Sequence, residues 1–198
     1  MNAQIRGRGR SARIGAAVAI GAVGLAVIGA GCGDDGAAQA AAQEAKLRAA
    51  DVALCTTQVE PLHTALVNMQ SDLQVGLNFA AYAEGVRSVA RAYNRVNIDQ
   101  VTAASEKVMT DAGGTSDSTC LGATASFENA YNAYNRANSI WSDCIDNILA
   151  YSSCTSGSVG DRVQAQWTRA SSAIANGERR LARDVAAQKK AQAASAGA

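Results

Sequence analysis

The chain has 198 residues, of which 48% are hydrophobic and 18% charged, and its 18 Lys and Arg residues nearly balance 17 Asp and Glu residues. Four basic residues lie in the first thirteen positions: Arg6, Arg8, Arg10 and Arg13. The remainder therefore carries 14 basic and 17 acidic residues, a formal net charge of −3. Nucleic-acid binding calls for a basic face, and this balance gives no support for a nucleic-acid partner.

The basic leader is followed by an uncharged Gly, Ala, Val and Ile run over residues 14–31, which is the layout of a secretory signal. Cys32 follows two small residues, Ala30 and Gly31. This resembles the lipobox of bacterial lipoproteins, in which the cysteine thiol is acylated and the chain is cut just before it. We expect a signal peptide over 1–31 and a mature protein held by lipid on Cys32 at the extracytoplasmic face of the cell membrane.

The match to the lipobox has one departure, because Gly29 stands where lipoproteins usually have Leu or another aliphatic residue. Two alternatives stay open: an ordinary cleaved signal, and an uncleaved anchor. The 18-residue run is long enough to cross a bilayer, but its Gly and Ala residues favour insertion only weakly. In each case the folded part lies outside the cytoplasm.

The cysteine count agrees with an exported protein. Five cysteines are present, and assigning Cys32 to lipid leaves four, an even number that suits two disulfides in an oxidising compartment. The short separation favours a bridge between Cys144 and Cys154, which leaves Cys55 to pair with Cys120. A zinc site is the competing interpretation, but these four residues contain no C-x-x-C pair.

Apolar residues recur every three or four positions over most of the chain after Cys32, which predicts an all-α fold. Four such stripes predict a four-helix up-and-down bundle stapled by disulfides. The stripes are Leu62, Leu66, Met69 and Leu73; Phe79, Tyr82, Val86, Val89, Tyr93 and Val96; Phe127, Tyr131, Tyr134, Trp141, Cys144 and Ile148; and Val163, Trp167, Ala170, Ile174, Gly177 and Leu181.

Boundary residues divide these stripes. Pro61 is expected to kink or restart a helix over 37–73, and Asn78 is expected to cap a helix that begins at Phe79. Loops are expected over 113–118 and 157–160, with Ser158 and Asp161 as a capping pair. The predicted organisation is a signal peptide (1–31), a membrane-proximal tether (32–45), a helical bundle (46–190) and a frayed tail (191–198).

A catalytic or metal site is hard to assemble from this sequence. His63 is its only histidine, and Glu60 with His63 spells E-x-x-H, the spacing that places two metal ligands on one helix face in di-iron bundles. Such sites need a second histidine motif, which is lacking. We therefore expect no enzyme activity, no metal and no cofactor, with a metal-handling or enzymatic role for Glu60 and His63 as the alternative.

A binding surface is suggested by a short repeat. Ala-Tyr-Asn-Arg occurs at 92–95 and again at 133–136, so that Arg95 and Arg136 occupy equivalent positions on two predicted helices. Together they would form a polar patch for an anionic group or a carboxylate of a partner. A solvated helix face is the simpler alternative.

Four short segments stand out at residues 73–82, 93–96, 141–145 and 164–167. Together they resemble a family of uncharacterised exported helical proteins from actinobacteria. The resemblance implies an exported helical architecture and no chemistry. The sequence thus predicts a lipid-anchored, non-enzymatic envelope protein with a binding or structural role toward an envelope protein or small ligand. A phage- or plasmid-type surface exclusion lipoprotein is a further alternative.

Overall fold

The protein is all-α over the residues that the computed structural model describes, which are 35–111, 118–147, 154 and 157–196. These residues belong to one unit that extends from Asp34 to Ala198. Six helices follow one another: α1 (Asp35–Gln58), α2 (Glu60–Val75), α3 (Phe79–Tyr93), α4 (Ile98–Asp111), α5 (Thr119–Asp146) and α6 (Gly157–Ala196). The described part of the chain contains no strand.

The prediction of a helix restart near Pro61 is confirmed. Helix α1 ends at Gln58 and α2 begins at Glu60, with Val59 between them. Backbone hydrogen bonds continue across the junction, since the Val59 N–H donates to the Cys55 carbonyl at 2.8 Å. Pro61 has no N–H to donate, which is tolerated in the first turn of a helix. The junction is therefore a helix restart with no loop between α1 and α2.

Helices α2 and α3 form an antiparallel pair joined by a tight turn. Gly76 ends α2 with a φ of 99°, a left-handed conformation that suits a residue without Cβ. Asn78 then caps α3, because its side-chain oxygen accepts a hydrogen bond from the Ala81 N–H at 2.9 Å. The predicted Asn78 cap is confirmed. Met69 lies against Gly85, which brings the two helices together.

Helices α5 and α6 form the longest pair of the fold and run in opposite directions. Phe127 lies against Gly177, and Trp141, further along α5, contacts Trp167, earlier in α6. The predicted loop over 157–160 and the predicted Ser158–Asp161 cap are wrong, because α6 already begins at Gly157. Its backbone there has a φ of 67°, which glycine adopts at no steric cost.

Helix α4 was missing from the predicted four helices, and α1 and α2 are separate, so the described residues form six helices. The buried face of α4 carries Val101, Ser105 and Val108. Ser105 breaks the apolar periodicity, and its hydroxyl is accommodated inside by donating to the Val101 carbonyl at 2.7 Å. The Asn97 side chain caps the helix by accepting from the Gln100 N–H.

Two disulfides fix this arrangement, with the pairing that the spacing favours. Cys55 of α1 is bonded to Cys120 in the first turn of α5, with a Cα–Cα separation of 5.2 Å. Cys144 near the end of α5 is bonded to Cys154, with a Cα–Cα separation of 5.7 Å. One bridge therefore joins elements 65 residues apart in the chain, and the other closes the connection between α5 and α6.

The core between the helices is built from the apolar stripes. Its largest fully buried side chains are Tyr82, Tyr134, Phe127, Leu62, Leu66 and Met69. None of the helices over the described residues combines the length and the apolar character that a membrane span requires.

Candidate functional site

His63 is held between α2, α5 and α6. Its Nε2–H donates to Oε1 of Glu178 at 2.9 Å, since a carboxylate only accepts, and its ring stacks on Phe127 with the centroids 5.1 Å apart. On the other edge of the ring, Nδ1 lies 3.6 Å from Oε1 of Glu60. The E-x-x-H pair therefore comes together as the spacing predicts, with Glu178 and Phe127 as partners that the sequence did not reveal.

This arrangement does not favour a metal ion. The two carboxylates contact opposite nitrogens of one imidazole, Glu178 at Nε2 and Glu60 at Nδ1. One ion bound to the ring therefore reaches only one of them, whereas a catalytic zinc needs three protein ligands. Among the described residues, no group of three or more His, Cys, Asp or Glu side chains is placed to hold a metal ion. The geometry fits a half-buried contact that holds α2 against α6.

A buried polar cluster surrounds the first disulfide. Asp51 is only 4% exposed, and its carboxylate accepts from the Ser118 hydroxyl and from the Cys120 N–H, each at 3.4 Å. Ser118 also contacts the hydroxyl of Ser105 at 2.6 Å. A cavity of about 130 Å³ lies beside this cluster, lined partly by Leu181 of α6. The cluster provides hydrogen-bond acceptors for N–H groups in the first turn of α5, where a negative charge is favourable.

Aromatic side chains meet where α3, α5 and α6 come together. Tyr82 contacts Trp141 and Trp167, with both centroid separations 5.7 Å, and its hydroxyl donates to the Tyr134 carbonyl at 2.9 Å. Burial raises the pKa of Tyr82 far above its ordinary value, and burial raises the pKa of Tyr134 to about 12. Tyr82 and Tyr134 are fully buried, so this cluster is part of the core.

The outer face of α2 and α3 carries a groove of about 290 Å³. Small residues, among them Ala65, Gly85 and Ala92, keep the two helices close, while polar side chains line the groove. The polar lining residues are Thr64, Asn68, Asp72, Ser88, Arg91 and Arg95. The groove therefore combines hydrogen-bonding groups with two guanidinium groups at the protein surface.

The two arginines of the repeated Ala-Tyr-Asn-Arg segment differ in their surroundings. Arg95 lines the groove between α2 and α3, and Arg136 on α5 is not among its lining residues. The preceding tyrosines differ too, because Tyr93 stacks on Tyr131 at the edge of the core whereas Tyr134 is fully buried. A patch shared by the two arginines stays a prediction. Arg95 also contributes to a groove formed with α2.

The predicted lipidation residue, Cys32, lies outside the described residues.

The sequence analysis missed the groove residues on α2, although the sequence contains a signal for them. Residues 61, 68 and 72, with either 64 or 65, recur every three or four positions, as do 85, 88, 92 and 95. These two stripes of small and polar residues lie beside the apolar stripes and mark the helix faces that form the groove.

Comparisons of the chain with models of protein families, with curated proteins and with solved structures gave no match.

Proposed function

We propose that this chain is a lipid-anchored envelope protein whose helical domain binds a partner outside the cytoplasm and carries out no chemistry of its own. The groove between α2 and α3 supports the binding role. Within the described part of the chain, Thr64, Asn68, Ser88 and Arg95 line this groove without a hydrogen bond or ion pair to another side chain. Their donors and acceptors are available to a partner.

The anchoring part of the proposal rests on Cys32 and on the disulfides. Disulfides persist in oxidising compartments, in agreement with an export signal. Helix α1 begins at Asp35, three positions after Cys32, and residues 35–50 extend about 24 Å at the rise of an α-helix. The described side chains of this stretch are exposed or half-buried. In an anchored protein, this stretch is a helical spacer between the membrane and the groove.

The anchor is tested by the intact mass of the full chain extracted from membranes. We expect a polypeptide that begins at Cys32 with added acyl chains, and four thiols that react only after reduction. A Cys32→Ser variant should lose the acyl mass. A mass that includes residues 1–31, or free thiols before reduction, would contradict the proposal.

The binding role is tested by a photoreactive amino acid placed in the groove at Ser88. We expect a discrete cross-linked product when the full chain is irradiated in the cell envelope. The same amino acid at Arg136, an exposed position outside the groove, is the control. Equal cross-linking at both positions, or none at Ser88, would contradict binding through this groove.

A further inference from the structure

We propose that the groove between α2 and α3 binds a short, extended, amide-containing chain that ends in an oxyanion, with Arg95 as the residue that recognises this charge. This inference rests on the proposed binding role and names the class of ligand. Its support comes from the length of the groove, the unequal charges at its two ends and the hydrogen-bonding groups between them.

The groove is open along the helix pair. Because α2 and α3 are antiparallel and Met69 lies against Gly85, Pro61 and Arg95 are at one end, and Asp72 is toward the other. From Pro61 to Asp72, helix α2 rises about 16 Å. An extended chain of about five residues has the same length.

The charges of the groove are not equivalent. The guanidinium of Arg91 donates to Glu84 at 3.1 Å, and that carboxylate also accepts from Arg87 at 2.7 Å. Arg95 is exposed and has no such carboxylate partner among the described residues. A guanidinium presents paired donors that match a carboxylate or a phosphate. Arg95 is therefore the cation available to a ligand, and Asp72 repels an oxyanion from the opposite end.

Neutral polar side chains lie between the two ends. Thr64 and Asn68 on α2 face Ser88 on α3 across the groove. Hydroxyl and amide groups both donate and accept hydrogen bonds, so they suit a ligand backbone that carries N–H and carbonyl groups along its length. Ala65 and Gly85 form the floor of the groove, where Met69 packs against Gly85, so the ligand backbone lies above them along the polar side chains.

The test measures binding of acetyl-pentaglycine with a free C-terminal carboxylate to the full disulfide-bonded chain, followed by amide chemical shifts in NMR. We expect shifts at Asn68 and Ser88, and weaker binding at high salt. The same peptide with a C-terminal amide should bind at least about tenfold more weakly, because it lacks the charge that pairs with Arg95.

Matched variants test whether Arg95 is the residue that pairs with the carboxylate of the peptide. R95Q should weaken binding of the carboxylate peptide by at least about tenfold, and R136Q, which changes the same residue in the other Ala-Tyr-Asn-Arg segment, should bind as the unmodified chain does. D72N should bind the peptide more tightly, since it removes a repelling charge. Equal effects of R95Q and R136Q, or no preference for the carboxylate over the amide, would overturn the proposal.

Inorganic phosphate separates the two sources of an oxyanion. If phosphate binds as tightly as the carboxylate peptide and R95Q abolishes this, Arg95 recognises the oxyanion but the amide groups add nothing, and the extended amide-containing ligand is wrong. If no probe binds in the groove while cross-linking from Ser88 persists, the ligand class is wrong and the binding role stands. If both fail, the proposed function fails with it.

Discussion

The ring of Phe127 on α5 packs directly on the backbone of Gly177 on α6. A Cβ atom built at Gly177 would overlap three ring atoms, Cε1, Cζ and Cδ1. Phe127 has no exposed surface, and His63 stacks on it. The ring therefore has little freedom to move aside. This contact sets the distance between the two longest helices of the described chain.

Gly177→Ala is expected to destabilise the fold by about 1 to 3 kcal/mol, the usual cost of overpacking a core. The gain in helix propensity, about 1 kcal/mol, offsets part of this cost. Urea unfolding followed by circular dichroism at 222 nm measures the change. Gly36→Ala is the control, because nothing lies within 4 Å of a Cβ at that helical position; it should be neutral or stabilising. Equal effects at both positions would contradict the packing argument.

Sequence reasoning identified the elements whose residues follow a regular or local pattern in the chain. The stripe from Phe79 to Tyr93, the Asn78 cap and the disulfide pairing all depend on residues near one another in the chain, or on a count of cysteines. Helix α4 was missed because Ser105 occupies a core-facing position, and hydropathy alone does not reveal that its hydroxyl bonds to Ser118. Its cap, Asn97, was a usable local signal.

The site was harder to predict because its parts come from separate helices. The half-motif of Glu60 and His63 was visible, but Glu178 lies 115 residues from His63 in the chain, and nothing local relates them. Likewise, Arg95 was singled out through a repeat with Arg136. The α2 residues that line its groove become its neighbours only through the turn at Gly76.

Tyr82 and Tyr134 offer a test of hydrogen bonding in the core. The Tyr82 hydroxyl donates to the Tyr134 carbonyl, whereas the Tyr134 hydroxyl is buried with no hydrogen-bond partner among the described residues. Tyr82→Phe should cost about 1 kcal/mol of unfolding free energy, and Tyr134→Phe should be neutral or stabilising by about 1 kcal/mol. Urea midpoints of the two variants compare them directly. A larger loss for Tyr134→Phe would contradict the assignment.

Alkaline pH is expected to destabilise the protein through the same two side chains. Burial raises the pKa of Tyr134 from 10.0 to about 12 and raises that of Tyr82 further. Between pH 10 and 12 the unfolded chain loses phenolic protons that the folded chain retains, so stability is complete below pH 10 and falls as pH rises. For one group, the loss approaches about 1.4 kcal/mol per pH unit.

Unfolding free energy measured from pH 8 to pH 12 provides the check, with absorbance at 295 nm reporting phenolate formation. Tyr134→Phe should reduce the slope between pH 10 and 12. Tyr93→Phe should reduce the slope less, because burial raises the pKa of Tyr93 too but this side chain is only half-buried. A slope that is the same in all three proteins would mean that other groups cause the loss of stability.

The two disulfides should contribute unequally. With sequence separations of 65 and 10 residues, the chain-entropy estimate is about 4 kcal/mol for Cys55–Cys120 and about 3 kcal/mol for Cys144–Cys154. Replacing Cys55 and Cys120 by Ala should therefore lower the unfolding free energy more than replacing Cys144 and Cys154. Both half-cystines of the first bridge are buried, which adds lost packing. Urea unfolding of the two double variants measures these losses. A larger loss from replacing Cys144 and Cys154 would contradict the prediction.

The caps of α3 and α5 form a matched pair that isolates the buried cluster around Asp51. Asn78 and Ser118 each accept a hydrogen bond from the N–H three residues ahead. Asn78 is exposed, and its replacement by Ala should cost about 1 kcal/mol.

The single hydroxyl proton of Ser118 is shared between Ser105 at 2.6 Å and Asp51 at 3.4 Å, because the Ser105 hydroxyl donates to Val101. Ser118→Ala leaves those buried groups with fewer partners, so its total cost should be about 2 to 3 kcal/mol. Urea unfolding of the two variants measures this difference. If they lose the same free energy, the contacts of Ser118 with Asp51 and Ser105 add nothing to the cap. If Ser118→Ala costs more, the polar cluster beside the first disulfide stabilises the start of α5, and with it the helix against which the groove-forming pair packs.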